Sequence, residues 1–166
     1  MSEPAIAPET SLLLGYLNGQ RKHVLGILDG LSEEDLRRPV LPSGWTALGM
    51  IRHLALDVER FWFRAVVAGE QVDLPSGAEA WQVAAEEPAE AVLAQYREEV
   101  ALADAIIAAR PLDARPAWWP TEIFPEMPEQ QLRQTILHVI AETATHAGHL
   151  DAVRELIDGR TWLVLT

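Results

Sequence analysis

The segment from Glu129 to Asp158 repeats mainly apolar residues through Ile136, Ile140, Thr143, Ala147, Leu150 and Ile157, at the three- and four-residue steps of a helix with one buried face. Asp158-Gly159 supplies a C-terminal stop. The same segment carries His138, Glu142, His146 and His149. At about 100° per residue, Glu142 lies about 40° from His146, His149 about 60° and His138 about 80°, all to the same side. Three imidazoles and a carboxylate on one helix face are the material of a metal site, and only one or two further ligands need come from elsewhere.

A long amphipathic helix needs partners, and the chain offers three. From Ser11 to Leu31 the spacing of Leu13, Leu17, Val24, Leu28 and Leu31 predicts a first helix. Ser32 can cap a short helix that Pro39 and Pro42 bring to an end. Thr46 can cap a second long helix carrying Ile51, Leu54, Val58, Phe61, Trp62 and Ala65 to about Gly69, with Trp45 and Met50 as a hydrophobic staple. Gln71 to Glu86 reads as a connection, and Pro88 suits the start of a third helix through Val92, Tyr96, Val100, Ala103 and Ile107 that Pro111 stops. Between Pro111 and Pro128 there are five prolines with Trp118, Trp119 and Phe124, a stretch that cannot be regular helix yet has apolar surface to hide over the bundle. The only strand signal, Trp162 to Leu165, is too short to form a sheet. The expectation is an all-α four-helix bundle, a single domain over residues 1–166.

With 25 acidic against 13 basic residues the net charge is -12, and no basic cluster tracks a phosphate backbone, so nucleic acid is not expected as a partner. No apolar run is long enough to cross a bilayer, and the start MSEPAIAPET lacks a secretory signal, so the expected location is the cytoplasm. The chain has no cysteine, which excludes disulfides, thiolate ligands and a thiol nucleophile of its own.

His53 falls beside the apolar stripe of the second helix, grouped with Met50 and Asp57. If that helix packs beside the last one, His53 joins Glu142 and His146 in a two-imidazole, one-carboxylate set suited to zinc, nickel or ferrous iron, with positions left for water or substrate. The competing view treats such histidines as ordinary surface or core residues. His149 can orient a ligand, touch substrate, or stand in solvent; His138 and His23 read as ordinary residues. Gly148, inside the helix, suggests a close approach of a neighbouring helix or a ligand, or else a tolerated defect. Trp118 and Trp119 either roof the site or bury their own loop, the commoner use.

The stretch Trp45-Thr46-Ala47-Leu48-Gly49-Met50-Ile51-Arg52-His53-Leu54, with Glu59 and Trp62 after it, and the stretch Glu142 to Asp151 continuing through Arg154 to Gly159, resemble the DinB/YfiT-like superfamily. The resemblance extends over nearly the whole chain. It implies a four-helix bundle holding a divalent metal with three side chains. Glu142 at the middle position resembles the mycothiol-dependent maleylpyruvate isomerase branch, which implies His53, Glu142 and His146 as ligands, with His149 just outside the set. By this resemblance the protein is a metal-dependent enzyme, zinc first with nickel or iron as alternatives, that activates a low-molecular-weight thiol, mycothiol or bacillithiol, for S-transfer or isomerisation. The resemblance further implies a homodimer. Two alternatives remain: the same ligands would serve a hydrolase, or the bundle is a non-catalytic binding or dimerisation module.

Overall fold

In the computed structural model, which describes residues 7–163, the first helix, α1, spans Pro8–Leu28. Pro8 sits in its first turn, where the missing N–H costs nothing. A four-residue helix, α2, covers Glu33–Leu36, with the Ser32 side chain accepting from the Asp35 N–H. The Thr46 hydroxyl accepts from the Gly49 N–H at 3.0 Å and starts α3, Ala47–His53. The chain does not stop there: over Leu54–Val67 the same helix continues in the wider π form. A 3₁₀ turn covers Gly77–Trp81, a feature that the expected plain connection did not include. Pro88 caps α4, Ala89–Ala108, and α5 runs Leu132–Asp158, ending where Gly159 takes φ 78°, a left-handed conformation that suits glycine.

Contacts along the helices fix their directions. Glu9 pairs with Arg133 near the start of α1 and α5, and Arg154 donates to the Ile27 and Asp29 carbonyls near their ends, so these two run parallel. Arg52 pairs with Glu87, and Arg60 with Glu99 further along, so the α3–π helix and α4 also run parallel. His53 lies beside His146 and Trp62 beside His138, which sets the α3–π helix antiparallel to α5. Two consecutive parallel helices need a connection that returns the length of a helix, and residues 68–88 supply it. The four long helices form the expected all-α bundle around a core that includes Leu17, Ile51, Phe63, Tyr96, Ile136 and Leu150.

One polar cluster crosses this core. Arg21 on α1 donates from Nε and Nη2 to both carboxylate oxygens of Glu59, at 2.8 and 2.7 Å, and from Nη1 to Asn18 and Asp104. Both partners are almost fully buried. Burial pushes the Glu59 carboxyl above its ordinary range, against the attraction of Arg21.

Among the described residues there is no strand. The strand-like run at the C-terminus lies in part, Val164 and Leu165, outside the described residues. Its first two residues donate their backbone N–H groups to the Asp151 carboxylate, at 2.6 and 2.9 Å, fastening the chain end to α5. Among the described residues no helix is long and apolar enough to cross a membrane.

Candidate functional site

His53 closes α3 at the point where the helix widens. Its Nδ1 lies 2.9 Å from Asp57 Oδ2. An ionised aspartate can only accept, so Nδ1 carries the proton, and the neutral tautomer that this contact selects has its lone pair at Nε2. Trp81 stacks on the imidazole with ring centroids 4.2 Å apart and planes 15° from parallel. Trp81 reaches this position because residue 49 is glycine: a Cβ there would stand 2.5 Å from the Trp81 carbonyl oxygen.

His146, from α5, sets its ring 5.0 Å from that of His53 and nearly perpendicular to it. Glu142 Oε2 lies 3.5 Å from His146 Nε2, beyond good hydrogen-bond length. The other ring nitrogen of His146, Nδ1, is buried without a partner. Burial first, and then the neighbouring His53, hold the His146 pKa below its ordinary value, while Glu142 pulls the other way. The neutral imidazole that results is the form able to donate a lone pair. Among the described residues no three imidazole or carboxylate groups stand as a finished ligand set. The two rings are fixed in place, whereas the Glu142 side chain is 42 % exposed.

His53 and Glu142 line a cavity of about 470 Å³, whereas His146, whose ring lies beside that of His53, is not part of the lining. Its polar lining is His53, Asp57, Glu142 and His138. His138, expected to be an ordinary residue, lines the cavity with its ring 4.7 Å from that of Trp62. The α3–π helix contributes Val58, Phe61 and Trp62 as well as His53 and Asp57, and the proline-rich segment contributes Ile123, Phe124 and Met127. That segment does roof the site, but not through its tryptophans. Trp118 lies edge-on to Phe61 and is partly exposed, and Trp119 donates from Nε1 to the Met127 carbonyl, pinning the loop.

The remaining candidates fall outside. His149 is exposed and does not line the cavity, although its ring lies 5.6 Å from that of His146. A Cβ on Gly148 would meet nothing within 4 Å, so no neighbouring helix of this chain approaches it closely. His23 accepts from Trp162 Nε1 at 2.9 Å. Spacing within one helix identified Asp57 as a neighbour of His53; nothing local pointed to Trp81, whose segment carries neither helical nor strand periodicity.

Against known proteins, the chain matches the sequence model of a family described as mycothiol-S-transferase over residues 12–159. No curated protein matches it.

Proposed function

The chain belongs to the mycothiol-S-transferase family, a DinB/YfiT-like family, and from that premise we propose that it joins the sulfur of mycothiol to a small electrophile at a divalent ion held by His53, Glu142 and His146. The observation that carries this reading is the meeting of two imidazoles from different helices, 5.0 Å apart, with a carboxylate beside one of them, His53 and Glu142 of the three also lining a cavity. One donor pair is spaced for such an ion. Two donors on a tetrahedral zinc, each at about 2.0–2.1 Å, stand about 3.3 Å from each other, close to the His146–Glu142 separation of 3.5 Å. The partial exposure of Glu142 leaves its side chain free to turn and complete the set. Zinc is the first choice, with nickel or ferrous iron as alternatives.

Bound there, a divalent ion would supply the Lewis acidity that favours the thiolate form of a thiol at neutral pH. The chain's own residues do the rest. Asp57 holds the Nδ1 proton of His53 and keeps its Nε2 turned to the ligand side, and Trp81 stops the ring from rotating. Phe61, Trp62 and Phe124 keep water from the reacting carbon. His138 places a polar group among them, able to take or give a proton at its ring. In the reaction the sulfur electron pair forms the new C–S bond and the thiol proton passes to solvent. Any leaving group departs with the electrons of its own bond. The absence of cysteine keeps the protein itself from competing for the electrophile.

Elemental analysis of protein purified without a histidine tag tests the premise. His53→Ala, Glu142→Ala and His146→Ala should each lower metal content steeply; unchanged stoichiometry in all three would show that the ligand assignment is wrong. Calorimetric titration of metal-loaded protein with mycothiol should show binding, and silence there would speak against the transferase.

A further inference from the structure

Resting on the proposed S-transfer for its chemistry but not for its binding, we propose that the cavity selects an uncharged, hydrophobic, aromatic electrophile and turns away carboxylates. Charge is the first argument. Among the described residues that line the cavity there is no lysine or arginine, and its ionised groups are the carboxylates of Asp57 and Glu142. The arginines on the same helix are committed elsewhere, Arg52 to Glu87 and Arg60 and Arg64 to Glu99. A guest carboxylate would lose its water, find no cation on the wall and face two like charges. The charge of a divalent ion at His53, Glu142 and His146 does not alter this balance, since Glu142 and a thiolate sulfur together offset it. A short dicarboxylate therefore has no partner on this wall.

The second argument is the wall itself. Trp62 and Phe124 stack at 5.8 Å with planes 15° apart, and Phe61 stands edge-on to both. Such ring faces and edges are suited to receiving a further flat ring. Ile123 lines the same space yet is 57 % exposed, an apolar side chain that folding alone leaves wet and that a hydrophobic guest would cover. Met127 beside it is flexible enough to follow the shape of different guests. A volume of about 470 Å³ lies within the range of small-molecule sites.

Isothermal calorimetry with two unreactive probes, dinitrobenzene and dinitrobenzoate, separates charge from shape, because the two differ by a single carboxylate. The protein is used metal-free and without thiol for this comparison, so that the cavity wall alone faces the probe. Dinitrobenzene should bind at least about tenfold more tightly, given the cost of burying an unpaired carboxylate. Met127→Lys, which places a cation on the wall, should narrow that gap by raising the affinity for dinitrobenzoate. Equal or tighter binding of dinitrobenzoate by the unaltered protein would overturn the proposal, and so would failure of both probes to bind. Mycothiol consumption with chlorodinitrobenzene then tests the chemistry separately. If dinitrobenzene is preferred but no thiol is consumed, the selectivity stands and the S-transferase reading falls.

Discussion

Replacing Gly49 by alanine should disturb His53 without touching it. A Cβ at this position would lie 2.5 Å from the Trp81 carbonyl oxygen and 3.2 Å from the Thr46 hydroxyl, where ordinary contact begins at 3.4 Å, so about 0.9 Å of movement is required. Two effects oppose each other in stability. Alanine in place of glycine favours a helix by about 1 kcal/mol. Overpacking costs about 1–3 kcal/mol. The net loss is then about 0–2 kcal/mol, a fall in melting temperature of no more than about 8 °C for a chain of this size. What gives way is the 3₁₀ turn Gly77–Trp81, one turn long and held at the surface, rather than the helix capped by Thr46. Trp81 then withdraws from the face of His53, on which it now stacks at 4.2 Å. The sensitive assay is the proton NMR signal of the His53 ring, shielded by the indole face in the parent protein and shifted downfield in the variant. Loaded metal should also dissociate faster. A variant more stable than the parent, with His53 resonances unmoved, would refute the chain of contact from Gly49 through Trp81 to His53.

Two further outcomes follow from buried charge. Arg21→Met leaves the Glu59 carboxylate buried without its cation and should cost about 3–5 kcal/mol, of which Arg21→Met with Glu59→Gln recovers a large part; urea unfolding measures both, and a double variant no better than the single one would contradict the buried-charge account. In metal-free protein His146 has a pKa held below the ordinary 6.5, so as pH falls the unfolded chain takes up its proton first. Stability contributed by the neutral ring is therefore full above that value, declines below it and levels off once the folded imidazole also protonates. His146→Gln should flatten this slope in melting curves recorded across the window, and an unchanged slope would assign it to another group.

What could be read from the amino acids alone was local chemistry. Thr46, Pro88 and Gly159 announce helix ends because a cap hydroxyl, a proline ring and a left-handed glycine act within a few residues of themselves. The bundle followed from apolar spacing, and the DinB/YfiT-like membership from two sequence stretches, one around His53 and one around His146. The contacts that shape the cavity were not readable in this way. Trp81 lies 28 positions beyond His53 in the chain, in a segment without periodicity, and His138 reaches the cavity wall only because α5 packs it against Trp62. Arg21 and Glu59 likewise look like surface residues until α1 and the π segment are brought together.

The widened helix is the deeper reason. In an α-helix, at about 3.6 residues per turn, the nine positions from His53 to Trp62 make about two and a half turns and put the two side chains on opposite faces. Hydrogen bonding to the fifth residue gives roughly 4.4 residues per turn, and the same nine positions make about two turns and return to one face. The residues of this helix that line the cavity are His53, Asp57, Val58, Phe61 and Trp62, which is the four-to-five-residue step of the π form. Apolar spacing at three and four residues places Trp62 in the core stripe and His53 outside it, which holds for an α-helix and separates a polar from an apolar function. The π geometry joins them, so that one helix supplies both the imidazole at the polar end of the cavity and the aromatic wall that would hold an electrophile against it.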